Sequence, residues 1–235
     1  MNNQSNSLSP LESSGHPQTV GIFKNLAEGF DINVEPSHLR YWRSMLTVGR
    51  AIDTLVDTHM PLSIEKEAAL LLEGTPIEGI NTTEAEEFSD VYHGVSNERQ
   101  AAIRQGLEIN NYAILMRQAD TYEAFIKART EEAEVFGNVM RLDNPDEYNT
   151  ISSFNTWLPK FARAGYLIDS FGDFSQDYKD GVIGLQPTMH RRIKLGKQAI
   201  VETYQSMHIL PPSTLSYIAV ASLSKMARNG LRKKQ

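Results

Sequence analysis

Five aspartates occur in two groups with a spacing of four residues. In "GYLIDSFGDFSQDYKDG" they are Asp169, Asp173 and Asp177, and in "RAIDTLVD" they are Asp53 and Asp57. Residues four apart share one face of an α-helix, so each group would form a line of like charges that repel by about 0.2–0.5 kcal/mol per pair. A hard cation such as Mg²⁺ would relieve this repulsion, since it is held by one or two carboxylates plus a substrate phosphate. The pattern predicts two facing helices that bind metal.

Two arginines precede the first acidic group on the same predicted helix face. Arg50 lies one turn before Asp53, and Arg43 lies two turns before Arg50. A guanidinium presents forked donors that match anionic oxygens, so metal and anion binding on one face is a coherent interpretation. The alternative is an intrahelical pair between Arg50 and Asp53. That order of charges is the poorer one, and it leaves Asp57 without a partner.

Other metal and nucleotide motifs are absent from the sequence. A di-iron carboxylate bundle needs a repeated Glu-x-x-His, and the single match, Glu35 to His38, contains Pro36 at a predicted helix start. There is no H-E-x-x-H, no G-x-x-x-x-G-K-[ST], no G-x-G-x-x-G and no G-x-S-x-G. The six histidines are scattered singly and are interpreted as surface or core residues.

Apolar residues recur at helical spacing along most of the chain, without the alternation typical of strands. We therefore expect an all-α, single-domain helical bundle over residues 21–235, preceded by a polar, disordered segment over residues 1–20. One helix should begin near Ser37 and stop before Pro61. Another should hold Pro159 in its first turn and end at Gly181. The last two are predicted over 188–207 and 213–232.

The composition narrows the class of protein. The chain has 235 residues, a net charge of −6 and no cysteine, which suits a reducing, cytoplasmic location. No run approaches the ~20 apolar residues that span a bilayer, and the negative charge argues against nucleic-acid binding. The basic ending "SKMARNGLRKKQ" allows a peripheral membrane contact. The alternative is that these cations complement the C-terminal end of a helix.

Two segments carry a family resemblance. "RAIDTLVDTHMPLSIEKEAALL" resembles the first aspartate motif of the squalene and phytoene synthases, and "YLIDSFGDFSQDYKDG" resembles their second. The second is also similar to the aspartate motif of bacterial terpene synthases of the tetraprenyl-curcumene type. The resemblance covers roughly Leu39 to Met189. It implies the class I isoprenoid synthase fold, in which two Asp-rich helices face each other across an apolar cavity and hold Mg²⁺ against a prenyl diphosphate.

The resemblance also implies roles for individual residues. Mg²⁺ would be bound by five aspartates, of which the first four are the catalytic set: Asp53, Asp57, Asp169, Asp173 and Asp177. Substrate would be bound by Arg43, Arg50, Lys179, Tyr122 and Tyr166. The arginines and Lys179 would contact the diphosphate, and the two tyrosines would present π faces to a carbocation.

The implied activity is that of a class I terpene synthase, a lyase that ionises one prenyl diphosphate and directs its cyclisation. One alternative is a prenyltransferase that joins two such substrates head to head, as squalene and phytoene synthases do. The other is a helical binding protein whose acidic faces are merely solvated. The resemblance also leaves a homodimer open, because many helical isoprenoid synthases pair.

Overall fold

The computed structural model describes residues 17–59, 64–143, 150–208 and 210, and within them it contains nine helices and no strand. This confirms the all-α bundle. The helices are α1 (Pro17–Gly29), α2 (Pro36–His59), α3 (Glu65–Leu72), α4 (Thr82–Gly94), α5 (Asn97–Leu107), α6 (Asn110–Gln118), α7 (Tyr122–Val139), α8 (Thr150–Lys179) and α9 (Met189–Met207).

Helices α7, α8 and α9 pack side by side in alternating directions. Phe125 near the start of α7 contacts Phe174 near the end of α8, at 5.5 Å between ring centroids. Trp157 near the start of α8 donates a hydrogen bond to the carbonyl of Ser206 near the end of α9 (3.1 Å). Since early residues meet late ones in both pairs, α8 runs antiparallel to each neighbour.

Pro159 lies inside α8 rather than in its first turn, because the helix begins nine residues earlier, at Thr150. The prediction placed Pro159 at the helix start and was wrong in this respect. At this level α7 presents Gly137, and a Cβ built there would lie 2.4 Å from the Pro159 Cα. The backbones of α7 and α8 therefore approach closely where a proline has removed one backbone donor from α8.

Helix α2 runs parallel to α8. Trp42 in the first part of α2 meets Phe154 in the first part of α8, at 6.2 Å between ring centroids. Eleven residues later on α2 and twelve later on α8, Asp53 and Tyr166 line the same cavity. At about 1.5 Å of rise per residue these are nearly equal lengths of helix. The two acidic groups of the sequence consequently begin at similar heights.

Some helix ends agree with the prediction made from the sequence, and others lie outside the predicted bounds. Gly181 adopts a left-handed backbone with φ of 73°, and the amide of Val182 donates to the carbonyl of Asp177 (2.8 Å), which terminates α8 as predicted. Helix α1 begins at Pro17, four residues before the predicted start of the domain. Residues 1–16 and the predicted helix over 213–232 lie outside the described residues. None of the described helices is long and apolar enough to cross a membrane.

The close approach at Gly137 is testable with a single methyl group. We expect Gly137→Ala to lower the free energy of unfolding by about 1–3 kcal/mol, because the new Cβ meets the backbone of α8 rather than a movable side chain. Gly165→Ala is the matched control, since no atom lies within 4 Å of a Cβ there; it should raise stability by about 0.5–1 kcal/mol. Urea unfolding of both variants measures the difference. Equal effects would contradict the proposed contact.

Candidate functional site

A cavity of about 320 Å³ lies between α2, α4, α5, α7 and α8. Most of its lining is apolar and includes the aromatic rings of Phe88 and Phe136. The polar lining comes from Arg50 and Asp53 on α2, Glu132 on α7 and Tyr166 on α8; Thr19 of α1 is also part of the wall. An apolar pocket with a few convergent polar groups is the usual form of a small-molecule site.

Arg129 of α7 is not part of the cavity lining but contacts two of the polar residues that are, Glu132 and Tyr166. Its guanidinium donates to the Glu132 carboxylate at 2.7 Å and pairs with Asp169 of α8 at 3.5 Å. Its Nε donates to Ser170 Oγ at 2.8 Å, and its Cζ lies 4.7 Å from the centre of the Tyr166 ring. One mostly buried cation thus holds four side chains from two helices, and it fixes how α7 and α8 face the cavity.

Several charges converge on Glu132. Burial raises the pKa of Glu132, the adjacent Arg129 opposes that effect, and the negative charges of Asp53 and Asp169 raise the pKa further. Burial and the negative charges of Glu132, Asp53 and Asp169 likewise raise the pKa of Tyr166, and Arg129 opposes them. One aspartate from each acidic group, Asp53 and Asp169, thus acts on the same two partly buried residues, and of these two aspartates Asp53 is part of the cavity lining and Asp169 is not.

The predicted acidic line on α8 is present. Asp169 and Asp173 are exposed, and Asp177 is half-buried one turn further along. Partial burial raises the pKa of Asp177; the cation of Arg129 lowers it, while the nearby charges of Asp173, Asp169 and Asp180 raise it. Burial is thus the main cause of the raised pKa of Asp177 and like charge is a smaller one, and none of the three aspartates is part of the cavity lining.

The basic candidates lie at different distances from the cavity. Arg50 lines it, whereas Arg43, two turns earlier on α2, is not part of the lining. Lys179 is exposed at the last residue of α8, beyond the acidic line. The backbone of Asp57 lies in α2, one turn after Asp53, and its side chain is outside the described part of the structure.

The structure brings only one of the two predicted tyrosines to the cavity. Tyr166 is part of the lining, with its ring 5.7 Å from that of Phe136. Tyr122 lies at the start of α7, in a separate hydrophobic cluster with Phe125 and Phe174. There the ammonium of Lys194 lies 4.3 Å from the centre of the Tyr122 ring. Tyr122 therefore packs between α7, α8 and α9 and does not face the candidate site.

Arg129 and Glu132 were not among the residues singled out from the sequence. In "IKARTEEAEV" their spacing of three is that of an ordinary pair on a solvated helix face. The signal that could have found them is the neighbouring "EVFGNV", because a glycine in a helix indicates a close approach of another backbone. Such an approach turns this face of α7 inwards, and charges on it then require partners.

No family model, curated protein sequence or solved structure matches the chain. Among the described residues, no three histidine, aspartate or glutamate side chains form a ready-made metal-binding group. A site that relies on a substrate phosphate to complete the coordination of Mg²⁺ does not need such a group.

Removing the Arg129 cation should destabilise the fold. We expect Arg129→Met to lower the free energy of unfolding by about 3–5 kcal/mol at pH 7, because it leaves the buried Glu132 carboxylate without its partner. Adding Glu132→Gln should restore part of the loss, and urea unfolding at pH 7 measures both changes.

Because the folded-state pKa of Glu132 is raised, its ionisation destabilises the fold as pH rises above the ordinary value of 4.5. Urea unfolding from pH 4 to 8 should show this slope weakened in Glu132→Gln, and an unchanged slope would contradict the assignment.

The acidic line predicts a stabilising substitution. In EDTA, Asp173→Asn should raise stability by about 0.2–0.5 kcal/mol for each of the two like-charge pairs it removes, with Asp169 and Asp177. Asp90→Asn is the control, since that exposed carboxylate pairs with Arg40 at 3.3 Å and its loss should be neutral or slightly destabilising. Thermal unfolding of both variants measures the effect, and a loss of stability in Asp173→Asn would count against the repulsion.

Proposed function

We propose that the protein is a Mg²⁺-dependent enzyme that ionises one prenyl diphosphate, as class I terpene synthases do. One observation carries the proposal: Asp53 of α2 and Glu132 of α7 line the same apolar cavity, and Arg129 joins that glutamate to Asp169 of α8. The resemblance of the two aspartate segments implies acidic groups on two such helices.

The size of the cavity favours one substrate over two. Its volume of about 320 Å³ is at the lower end of the range of ligand pockets, roughly 300–1,000 Å³. Head-to-head condensation requires two prenyl chains to be accommodated together. The geometry therefore supports a synthase or cyclase ahead of a condensing prenyltransferase.

The donor set fits magnesium. Asp53, Asp169 and Asp173 are exposed carboxylates, and hard oxygen donors that leave room for water and phosphate are what Mg²⁺ prefers. Asp177, whose pKa is raised by burial and like charges, would gain from a nearby cation. Asp57 would join the set from α2. When bound, Mg²⁺ supplies positive charge that stabilises the departing diphosphate.

Individual side chains of the protein would have different roles in the reaction. Arg50, which lines the cavity, would hold diphosphate oxygens with its forked donors. The apolar wall would exclude water from the prenyl chain, and the rings of Phe88, Phe136 and Tyr166 would present π faces to a carbocation. Arg129 would keep Asp169 and Tyr166 in place through its contacts to both. Arg43 and Lys179 would add positive charge at longer range.

A binding protein without turnover is the second candidate. It is favoured by Arg129, because this cation already pairs with Glu132 and Asp169 and so offsets part of the acidic charge without any metal. Such a protein would hold an apolar chain in the cavity and release it unchanged. A purely structural role for the acidic faces predicts no response to Mg²⁺ and pyrophosphate.

The test is to incubate the purified protein with Mg²⁺ and geranyl, farnesyl or geranylgeranyl diphosphate, and to measure released pyrophosphate and hydrocarbon or alcohol products. We expect one substrate to be consumed, with the activity abolished by EDTA. Asp53→Asn should lower turnover by about 100-fold or more, since it removes charge stabilisation of the leaving group. Products with the carbon number of one substrate would distinguish this reaction from condensation.

Asp90→Asn is the matched control, as it removes an exposed carboxylate from α4, away from the cavity lining, and should retain full activity. Thermal unfolding with Mg²⁺ plus pyrophosphate separates the remaining candidates. Ligand at ~100 times its Kd should add about 2.7 kcal/mol of stability. Such stabilisation is expected of the enzyme, no response together with no turnover would favour the binding protein, and full activity of a folded Asp53→Asn variant would overturn the proposal.

A further inference from the structure

Helix α9 exposes a continuous apolar stripe to solvent. The α9 outer face consists of Met189, Ile193, Ile200, Tyr204 and Met207, which are 43–74% exposed. At 3.6 residues per turn these five positions fall within an arc of about 60°, so they form one surface along the helix. Single exposed apolar residues are ordinary in proteins, but a stripe over the length of a helix indicates a surface that meets a partner.

The stripe continues onto α8 through Phe171. A Cβ built on Gly196 of α9 would lie 3.0 Å from the Phe171 ring, so the ring rests directly against the α9 backbone. Gly196 lies three residues after Ile193 and four before Ile200, which places Phe171 beside the α9 outer face. Phe171 is itself 41% exposed. The apolar surface therefore spans two helices.

The charged side chains that α9 itself exposes are of one sign, although one of them, Lys194, pairs with Glu123 of α7 at 2.5 Å. Helix α9 contains one acid and four cations, which are Arg191, Arg192, Lys194 and Lys197. That acid, Glu202, is buried and pairs with Arg163 of α8 at 2.9 Å. The exposed part of α9 thus carries cations and no carboxylate, although the whole chain has a net charge of −6. A strong charge asymmetry along a chain indicates binding to a membrane or a nucleic acid.

We propose that the α9 outer face docks on the surface of an anionic lipid membrane. An interfacial helix has large apolar side chains on one side and flanking Lys and Arg residues that attract anionic headgroups. On α9, Lys197 lies within one turn of Ile193 and Ile200, and Arg192 stands over the Phe171 ring at 6.0 Å. Both cations border the apolar stripe and would reach headgroups while Ile200 and Tyr204 enter the acyl boundary.

Two other partners fit the surface less well. A second copy of the chain, joined through the same face, would bring the Lys197 side chains of both copies towards each other across an isologous contact. A nucleic acid would use the cations, but its phosphates give no reason for five exposed apolar side chains. An anionic membrane satisfies both the charge and the apolar area. This proposal stands independently of the proposed enzymatic function.

The experiment is co-sedimentation of the full chain with phosphatidylcholine vesicles that contain or lack phosphatidylglycerol. We expect partitioning onto the anionic vesicles that falls as salt rises. The double variant Ile200→Glu/Tyr204→Glu should lose more than tenfold in partitioning, since two apolar anchors become charged. Lys197→Gln should lose about fivefold, the effect of one cation near such a surface.

Leu115→Glu is the matched control, because Leu115 is 48% exposed on α6, on another helix, and should partition as the unaltered chain does. Thermal unfolding checks that the exposed substitutions leave the fold intact. Equal sedimentation of the double variant and the unaltered chain would overturn the proposal. The proposal would also be overturned if the unaltered chain did not partition onto the anionic vesicles. It would be overturned too if the chain bound nucleic acid and the double variant did not, or if the chain formed a dimer in size-exclusion chromatography and the double variant did not.

Discussion

The burial of Arg129 is the constraint on which the rest of the site depends. A guanidinium removed from water must be paired and hydrogen-bonded, and a single helix cannot supply all the acceptors. Arg129 finds Glu132 on its own helix and Asp169 and Ser170 on α8. These contacts hold α7 and α8 in one register, and they place Tyr166 at the wall of the cavity.

The same requirement explains how charge is distributed over the bundle. Asp53 of α2 lines an apolar cavity, Asp169 of α8 lies outside that lining, and both raise the pKa of Glu132. Arg129 supplies positive charge beside Glu132 and Asp169. Helix α9 has the opposite character, since its single acid is paired inside the bundle and its exposed side is cationic and apolar. Two surfaces with different chemistry thus lie on neighbouring helices.

Local features of the fold could be predicted because helix formation depends on residues close in sequence. The spacing of apolar residues indicates helices, and Gly181 ends α8 because glycine tolerates the positive φ found there. The prediction for Pro159 was wrong because its position in the helix depends on contacts between residues distant in sequence. A proline predicts a helix start from local geometry alone, whereas here it lies inside α8, at the point where α7 approaches through Gly137.

By itself, the sequence determined that the chain is helical and that its aspartates form lines on two helices, because both properties follow from a period of 3.6 residues. Only the tertiary structure decided which residues meet. Tyr122 and Tyr166 have the same side chain, yet one packs in a separate core cluster and the other lines the cavity. Arg129 looks like a surface residue until α8 covers it. The reason is physical: burial and long-range pairing depend on how helices dock, and docking is set by close approach and by the need to pair buried charge.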